Sequence, residues 1–225
     1  MNRPIIVDMS YWKDDKLFDY DLFAKSVDGV ILRAAYGVWK DTRFDLHYRE
    51  LFSRGVPMGA YHYIIGSKSA KEQANVFAET IDGLDLPMDL WCDVEDRRPI
   101  TRLSRSLVVN YLNEADTLCR KDLDIYTSPY AWDEIMGIPL YMDRKLWIAN
   151  YYVAIPSLPK CGGWKTWWMH QYTDIGKVPG FSRTLDLNQF NGSLLTYQEW
   201  VKCQPPGYTD KERLDILWNQ YLNNH

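Results

Sequence analysis

The chain has 225 residues, 46% of them hydrophobic and 25% charged, with a formal net charge of −4. This excludes a disordered chain, a collagen-like chain and a small disulfide scaffold, and it suits one domain with at most a short appendage. No apolar run approaches the roughly 18 residues that span a bilayer, and no basic block marks a nucleic-acid partner. Neither membrane insertion nor nucleic-acid binding is expected, and oligomeric state is left open. Met1 to Asp8 carries no signal-peptide core, so cytoplasmic synthesis with later release is expected, with secretion as the alternative.

Apolar runs and amphipathic stretches then alternate along the chain. Ile5-Ile6-Val7 predicts a strand ending at Asp8, followed by a helix over 18–27. A second strand over 29–34 leads to a helix over 44–54, and a third over 57–63 leads to a helix over 69–81. A fourth strand over 90–94 precedes a long helix over 103–119, and a fifth over 124–127 precedes two turns of helix over 129–136. Strands over 145–150, 166–171 and 184–189 follow, with connections too short or too rich in Gly and Pro for full helices. This order predicts an α/β fold, a parallel TIM-like barrel whose last three units have lost their helices. Gln204-Pro205-Pro206-Gly207 breaks the pattern, and Thr209 with Glu212 opens a short amphipathic helix. The expected division is a catalytic barrel over 1–203 and an appendage over 204–225.

Ten Trp and 16 Tyr far outnumber seven Phe. Amphipathic rings suit half-wet surfaces, and sugar rings present apolar faces edged with hydroxyls. An aromatic-rich core accounts for the composition equally well. One ring of the Trp167-Trp168 pair is expected to form a sugar platform. Cys92, Cys119, Cys161 and Cys203 lack metal-ligand spacing, so reduced thiols are expected, with a Cys161–Cys203 bridge as the alternative.

In a parallel barrel the site lies at the C-terminal ends of the strands. Read this way, Asp8, the Asp93-Val94-Glu95 segment and Asp186 meet at one mouth. Residues two apart on a strand point the same way, so Asp93 and Glu95 share the cleft. Two close acids repel, and one keeps its proton to higher pH, which supplies the general acid of glycosidic cleavage. Asp-x-Glu alone is weak, since solvated loop acids often show it. Leu90-Trp91-Cys92 strengthens it, because a buried strand leads into the acids. Arg33, Tyr61, His62, Tyr63, Tyr126, Trp147, Asn150 and Gln171 also fall at strand ends and are expected to contact substrate. His62 is assigned to positioning, although a hydrogen-bonded wall histidine is the commoner case.

These segments, taken together, resemble the family 25 glycoside hydrolases, the Chalaropsis-type lysozymes. The pieces are Val7-Asp8-Met9-Ser10-Tyr11-Trp12, Gly59-Ala60-Tyr61-His62-Tyr63, Trp91-Cys92-Asp93-Val94-Glu95 and Ile125-Tyr126-Thr127-Ser128. They continue with Leu146-Trp147-Ile148-Ala149-Asn150-Tyr151, His170-Gln171-Tyr172-Thr173 and Leu185-Asp186-Leu187-Asn188-Gln189-Phe190. The resemblance implies an irregular barrel of five βα units and three strands, (β/α)5(β)3. It implies hydrolysis, without cofactor or metal, of the β-1,4 bond between N-acetylmuramic acid and N-acetylglucosamine in peptidoglycan. It places the general acid on Glu95, its partner on Asp93 and further cleft acids on Asp8 and Asp186. Retention assisted by the substrate's acetamido group is implied, and a phage or prophage endolysin is the expected setting. Arg33-Ala34-Ala35-Tyr36-Gly37 departs from the family, many of whose members carry an acid before the glycine. A catalytically silent wall-binding module and a metal-dependent carbohydrate hydrolase are the competing readings.

Overall fold

The computed structural model describes residues 4–11 and 19–202. The expected appendage over 204–225 and Cys203 lie outside them. In chain order the elements are β1 (Ile6–Met9), α1 (Tyr20–Ala24), β2 (Gly29–Tyr36), β3 (Trp39–Lys40), α2 (Phe44–Phe52), β4 (Met58–Tyr63) and α3 (Ala70–Ile81). They continue with β5 (Leu90–Asp93), α4 (Arg105–Cys119), β6 (Asp124–Thr127), α5 (Pro129–Ile135), β7 (Leu146–Ala149), β8 (Met169–Gly176), β9 (Leu185–Phe190) and α6 (Leu194–Lys202).

Alternation along the strands divides the apolar residues into two layers. Val7, Val30, Leu32, Ala60, Cys92, Ile125 and Ile148 face outward onto the helices. Ile6, Ile31, Trp91, Trp147, Met169 and Phe190 face inward and fill the barrel. Fully burying one such side chain contributes about 1.5–3 kcal/mol, so both layers favour closure. The sheet runs β1-β9-β8-β7-β6-β5-β4-β2-β3, and pairing of β1 with β2 closes the ring, leaving β3 outside it. Five strand–helix units followed by three strands appear as expected.

One expectation fails. β9 runs antiparallel to both of its neighbours, β8 and β1, so the barrel is not wholly parallel. The connection over 177–184 allows a hairpin, whereas a parallel crossover needs about a dozen residues or more. The reversal puts the beginning of β9, not its end, at the mouth.

The helix starts follow their caps. Ser69, Ser104 and Ser128 accept hydrogen bonds from the amides of Glu72, Leu107 and Ala131, and Pro129 occupies the first turn of α5. The sequence reading did not anticipate α6, which closes the lower end of the barrel. Its Tyr197 hydroxyl donates to the Asp28 carbonyl (2.6 Å), and its Trp200 indole donates to Asp89 (2.8 Å). Trp200 also stacks on Phe190 with centroids 5.5 Å apart. A Cβ on Gly29 would lie 2.4 Å from the Tyr197 hydroxyl, so this seal requires glycine there.

Cys92, Cys119 and Cys161 are free thiols. Burial raises the first two, Cys119 to about 12. No helix among the described residues is long and apolar enough to cross a membrane.

Candidate active site

The upper end of the barrel opens into a cleft of about 410 Å³ whose lining includes Asp8, Asp93, Glu95 and Asp186. Inward alternation delivers each acid. Asp8 follows inward Ile6 on β1, Asp93 follows inward Trp91 on β5, and Glu95 lies two residues further on. Asp186 arrives from the upper end of the descending strand β9, directly opposite Asp8.

A polar scaffold holds Asp8. Its Oδ2 accepts from Gln171 Nε2 (2.7 Å) and Asn188 Nδ2 (2.8 Å). Trp147 Nε1 donates to Asn188 Oδ1 (2.7 Å). The Tyr126 and Tyr151 hydroxyls both donate to Gln171 Oε1, at 2.9 and 2.8 Å. Both amide orientations are thereby set by their partners.

Asp93 is 3% exposed, and its Oδ1 has no hydrogen-bond partner. Burial first, then the Glu95 carboxylate, push Asp93 well above the usual carboxylate range, with Asp8 adding to the rise and the Arg33 guanidinium opposing it. Burial also raises Glu95, to about 7, with the Asp96 and Asp186 charges adding to the rise and Arg97 and Arg98 opposing it. Near neutral pH the site therefore holds a carboxyl poised between its protonated and ionised forms, Glu95, beside a second carboxyl, Asp93, whose proton affinity is also raised.

Tyr61, Tyr63, Tyr126, Trp147, Gln171 and Arg33 line the cleft with the acids, in the places expected of them. Arg33 is 4% exposed, and its Nε donates to Asp41 Oδ2 at 2.8 Å. Three expectations are corrected. His62 lies on the outer face of β4, fully buried between the sheet and the helices. Its ring bonds the Tyr111 hydroxyl and the Gly37 carbonyl, each at 2.8 Å, and stacks on Phe77. Alternation sends Tyr61 and Tyr63 inward and so sends His62 outward. Burial lowers its imidazole to about 3.

The second correction is Asn150, whose Oδ1 accepts the Ser157 amide (2.8 Å) and so braces a rim loop instead of lining the cleft. The third concerns the tryptophan pair. Trp168 packs edge-on against Phe190 and Trp200 at the lower end, and Trp167 packs against the outer core and edge-on to His170. Neither lines the cleft, because both precede β8 and so sit at the end of the barrel away from the mouth.

Ser10, Tyr36, Arg98 and Tyr151 also line the cleft and escaped the sequence reading. Tyr36 is instructive. Strict alternation from Arg33 points it outward. A register shift between Arg33 and Ala35 pairs Arg33 with Tyr61 but Tyr36 with Tyr63, and this bulge turns Tyr36 into the mouth. Tyr151 carried a signal, since it follows Asn150 in a segment already singled out. Arg98 had none, because it sits in the irregular stretch after β5, where its guanidinium donates to the Tyr36 hydroxyl (2.8 Å). Among the described residues no group of three or more His, Cys, Asp or Glu side chains forms a candidate metal site.

A closed barrel with four acids gathered among aromatic rings at its mouth defines a glycoside hydrolase. Comparison with known proteins makes this specific. Residues 7–181 match the family described as glycosyl hydrolases family 25, and the chain belongs to that family. Lysozyme M1 of Streptomyces globisporus is 28% identical over 203 residues, covering 83% of this chain and 67% of that protein. An autolytic lysozyme of Clostridium acetobutylicum is 28% identical over 172 residues, and the match spans 75% of this chain and 50% of that longer protein. The fold matches a bacterial lysozyme from Streptomyces coelicolor with a TM-score of 0.75 at 23% identity, covering 89% of this chain and 97% of that one. A muramidase from Trichobolus zukalii matches with a TM-score of 0.72 at 25% identity, covering 89% of this chain and all of that one.

Proposed function

We propose that the chain is a peptidoglycan muramidase that cuts the β-1,4 bond after N-acetylmuramic acid and acts in bacterial wall lysis, with Glu95 as its general acid. The observation that carries this reading is Glu95 raised to about 7 in a cleft shared with Asp93, Asp8 and Asp186. A carboxyl that holds its proton near neutrality can give it to the leaving glycosidic oxygen.

The acetamido oxygen of the muramyl sugar attacks its own C1 as the C1–O bond breaks, and the Glu95 proton goes to the departing oxygen. An oxazolinium ion forms. Water then adds to C1, reopening the ring, and the Glu95 carboxylate takes up the proton that water loses. Two displacements at C1 give net retention. Asp93 faces the acetamido group in this scheme. Its unpartnered Oδ1 suits the acetamido N–H, which turns the group toward C1. Asp8, held by Gln171 and Asn188, shapes the floor of the same subsite, and its charge adds to the rise in the proton affinity of Asp93. Trp147, Tyr61 and Tyr126 supply ring surfaces for the sugars.

Mass spectrometry of digested peptidoglycan tests the assignment. Fragments ending in reducing N-acetylmuramic acid are expected. Fragments ending in reducing N-acetylglucosamine overturn it in favour of a glucosaminidase, and absence of cleavage favours a silent wall-binding module.

A further inference from the structure

A row of aromatic rings leaves the cleft on one side. Tyr63 stacks on Tyr36 with centroids 5.1 Å apart and planes 21° apart, and Tyr36 stacks on Trp39 at 6.1 Å and 23°. The first two rings line the cleft, while Trp39 lies beyond it, 52% exposed on the β2–β3 hairpin. No core requirement places an indole there.

The hairpin is firmly held. The Gly37 amide donates to the Tyr63 carbonyl (2.9 Å), and the Gly37 carbonyl accepts from His62 Nε2 (2.8 Å). Gly37 has φ +57°, and a Cβ there would come within 2.7 Å of Ile65 Cδ1. The Asp41 amide donates to the Ala34 carbonyl (2.8 Å), closing the hairpin's other side. The buried imidazole that sequence reading assigned to the substrate is thus a strut beneath this row of rings. Such a shelf meets a ligand without losing conformational freedom of its own.

Two cations flank the rings. Lys68 Nζ lies 5.2 Å from the Trp39 centroid and forms no ion pair among the described residues. The Arg98 guanidinium, 56% exposed, lies 5.9 Å from the Tyr36 centroid and 5.7 Å from that of Tyr63, and it also pairs with Asp96. Flat rings take the apolar face of a sugar, and an unpaired ammonium beside them takes an anion. The cleft gathers four carboxyl groups, whereas an ammonium stands beside Trp39 at its outer edge, so the two surfaces are suited to different parts of one ligand.

We propose that Trp39 and Lys68, with the Tyr36 and Tyr63 rings that lead to them from the cleft, form a saccharide subsite at the cleft's outer edge, which takes a muramyl sugar together with the carboxylates of its peptide stem. This rests on the muramidase reading and adds that the enzyme selects stem-bearing glycan.

Binding to the Glu95→Gln protein, which retains the cleft's shape, tests the proposal by fluorescence titration. The probes are two soluble glycan fragments of equal length, one with its peptide stems and one stripped of them by an amidase. The stem-bearing fragment is expected to bind about 10-fold more tightly at low salt, and about 0.5 M salt should remove most of that preference. Lys68→Gln in the same background should abolish the preference. Trp39→Ala should weaken the stem-bearing fragment about 10-fold, and Trp39→Phe should restore most of the loss. Equal binding of the two fragments, or unweakened binding by Trp39→Ala, overturns the subsite and leaves the cleft assignment standing. Failure of both fragments to bind the Glu95→Gln protein overturns the cleft assignment and the subsite with it.

Discussion

Asp8 and Asp186 stand directly opposite each other in the antiparallel pair of β1 and β9. Like charges directly opposite each other across a ladder repel. The Asp186 charge is one cause of the raised Glu95, and the Asp8 charge is one cause of the raised Asp93. Asp186→Asn should therefore move the alkaline limb of kcat/KM below that of the parent, with melting nearly unchanged. Asp8→Asn should lower kcat by about 10-fold or more while the protein stays folded. A full-activity variant with an unshifted pH profile would show that residue to be a rim brace.

Glu95→Gln keeps size and shape and removes the proposed proton donor. General acid catalysis contributes about 10²–10⁴-fold, and kcat should fall at least that far. In the parent enzyme, activity should decline as pH rises through about 7, where Glu95 loses its proton. Activity that instead rises from pH 7 to 9 would assign the proton donor elsewhere.

Stability should respond to pH in opposite senses at Glu95 and His62. Glu95 is raised from 4.5 to about 7, so between those values the unfolded chain releases a proton that the folded chain keeps. Stability contributed by protonated Glu95 is complete below about 4.5 and is lost as pH rises to about 7. Relative to the parent, Glu95→Gln should gain about 1–3 kcal/mol across that window. His62 is lowered from 6.5 to about 3, so its contribution is complete above 6.5 and is lost as pH falls toward 3. The deficit of His62→Gln should be greatest near pH 7 and narrow by about 1 kcal/mol or more by pH 4. Denaturant titrations at four pH values measure both slopes, and a deficit independent of pH would contradict a neutral buried imidazole.

Trp200 seals the lower end of the barrel, far from the acids. It donates to Asp89, which also pairs with Lys121 (2.7 Å) and Lys145 (2.5 Å), and against the effect of burial those two cations hold the Asp89 carboxyl below its usual range. Trp200→Ala should cost about 2–4 kcal/mol, since the indole is half-buried and its loss opens space beside Phe190. Activity per folded molecule should hold. A large kcat loss with unchanged melting would mean that the seal communicates with the mouth.

Periodicity and end signals made most of the barrel legible before any coordinates. Apolar runs located all eight ring strands, and the spacing of Asp93 and Glu95 already placed two acids in one cleft. The same alternation, applied consistently, would have sent His62 outward, but its place at a strand end argued for the mouth. What the chain's linear order could not decide was which residues meet across strands. The reversal of β9 depends on how the last connection closes the ring, and it alone sets Asp186 opposite Asp8. The bulge in β2 shifts side-chain parity by one residue and turns Tyr36 into the cleft, although the local sequence reads as unbroken strand. The raised Glu95 and Asp93 arise first from burial, which only the closed barrel provides; the neighbouring Asp96 and Glu95 charges add to it, and Asp186 and Asp8 on other strands add further. Local pattern specifies the elements because their periods are intrinsic to the backbone. Pairing and proton affinity are properties of neighbours brought together only when the barrel closes.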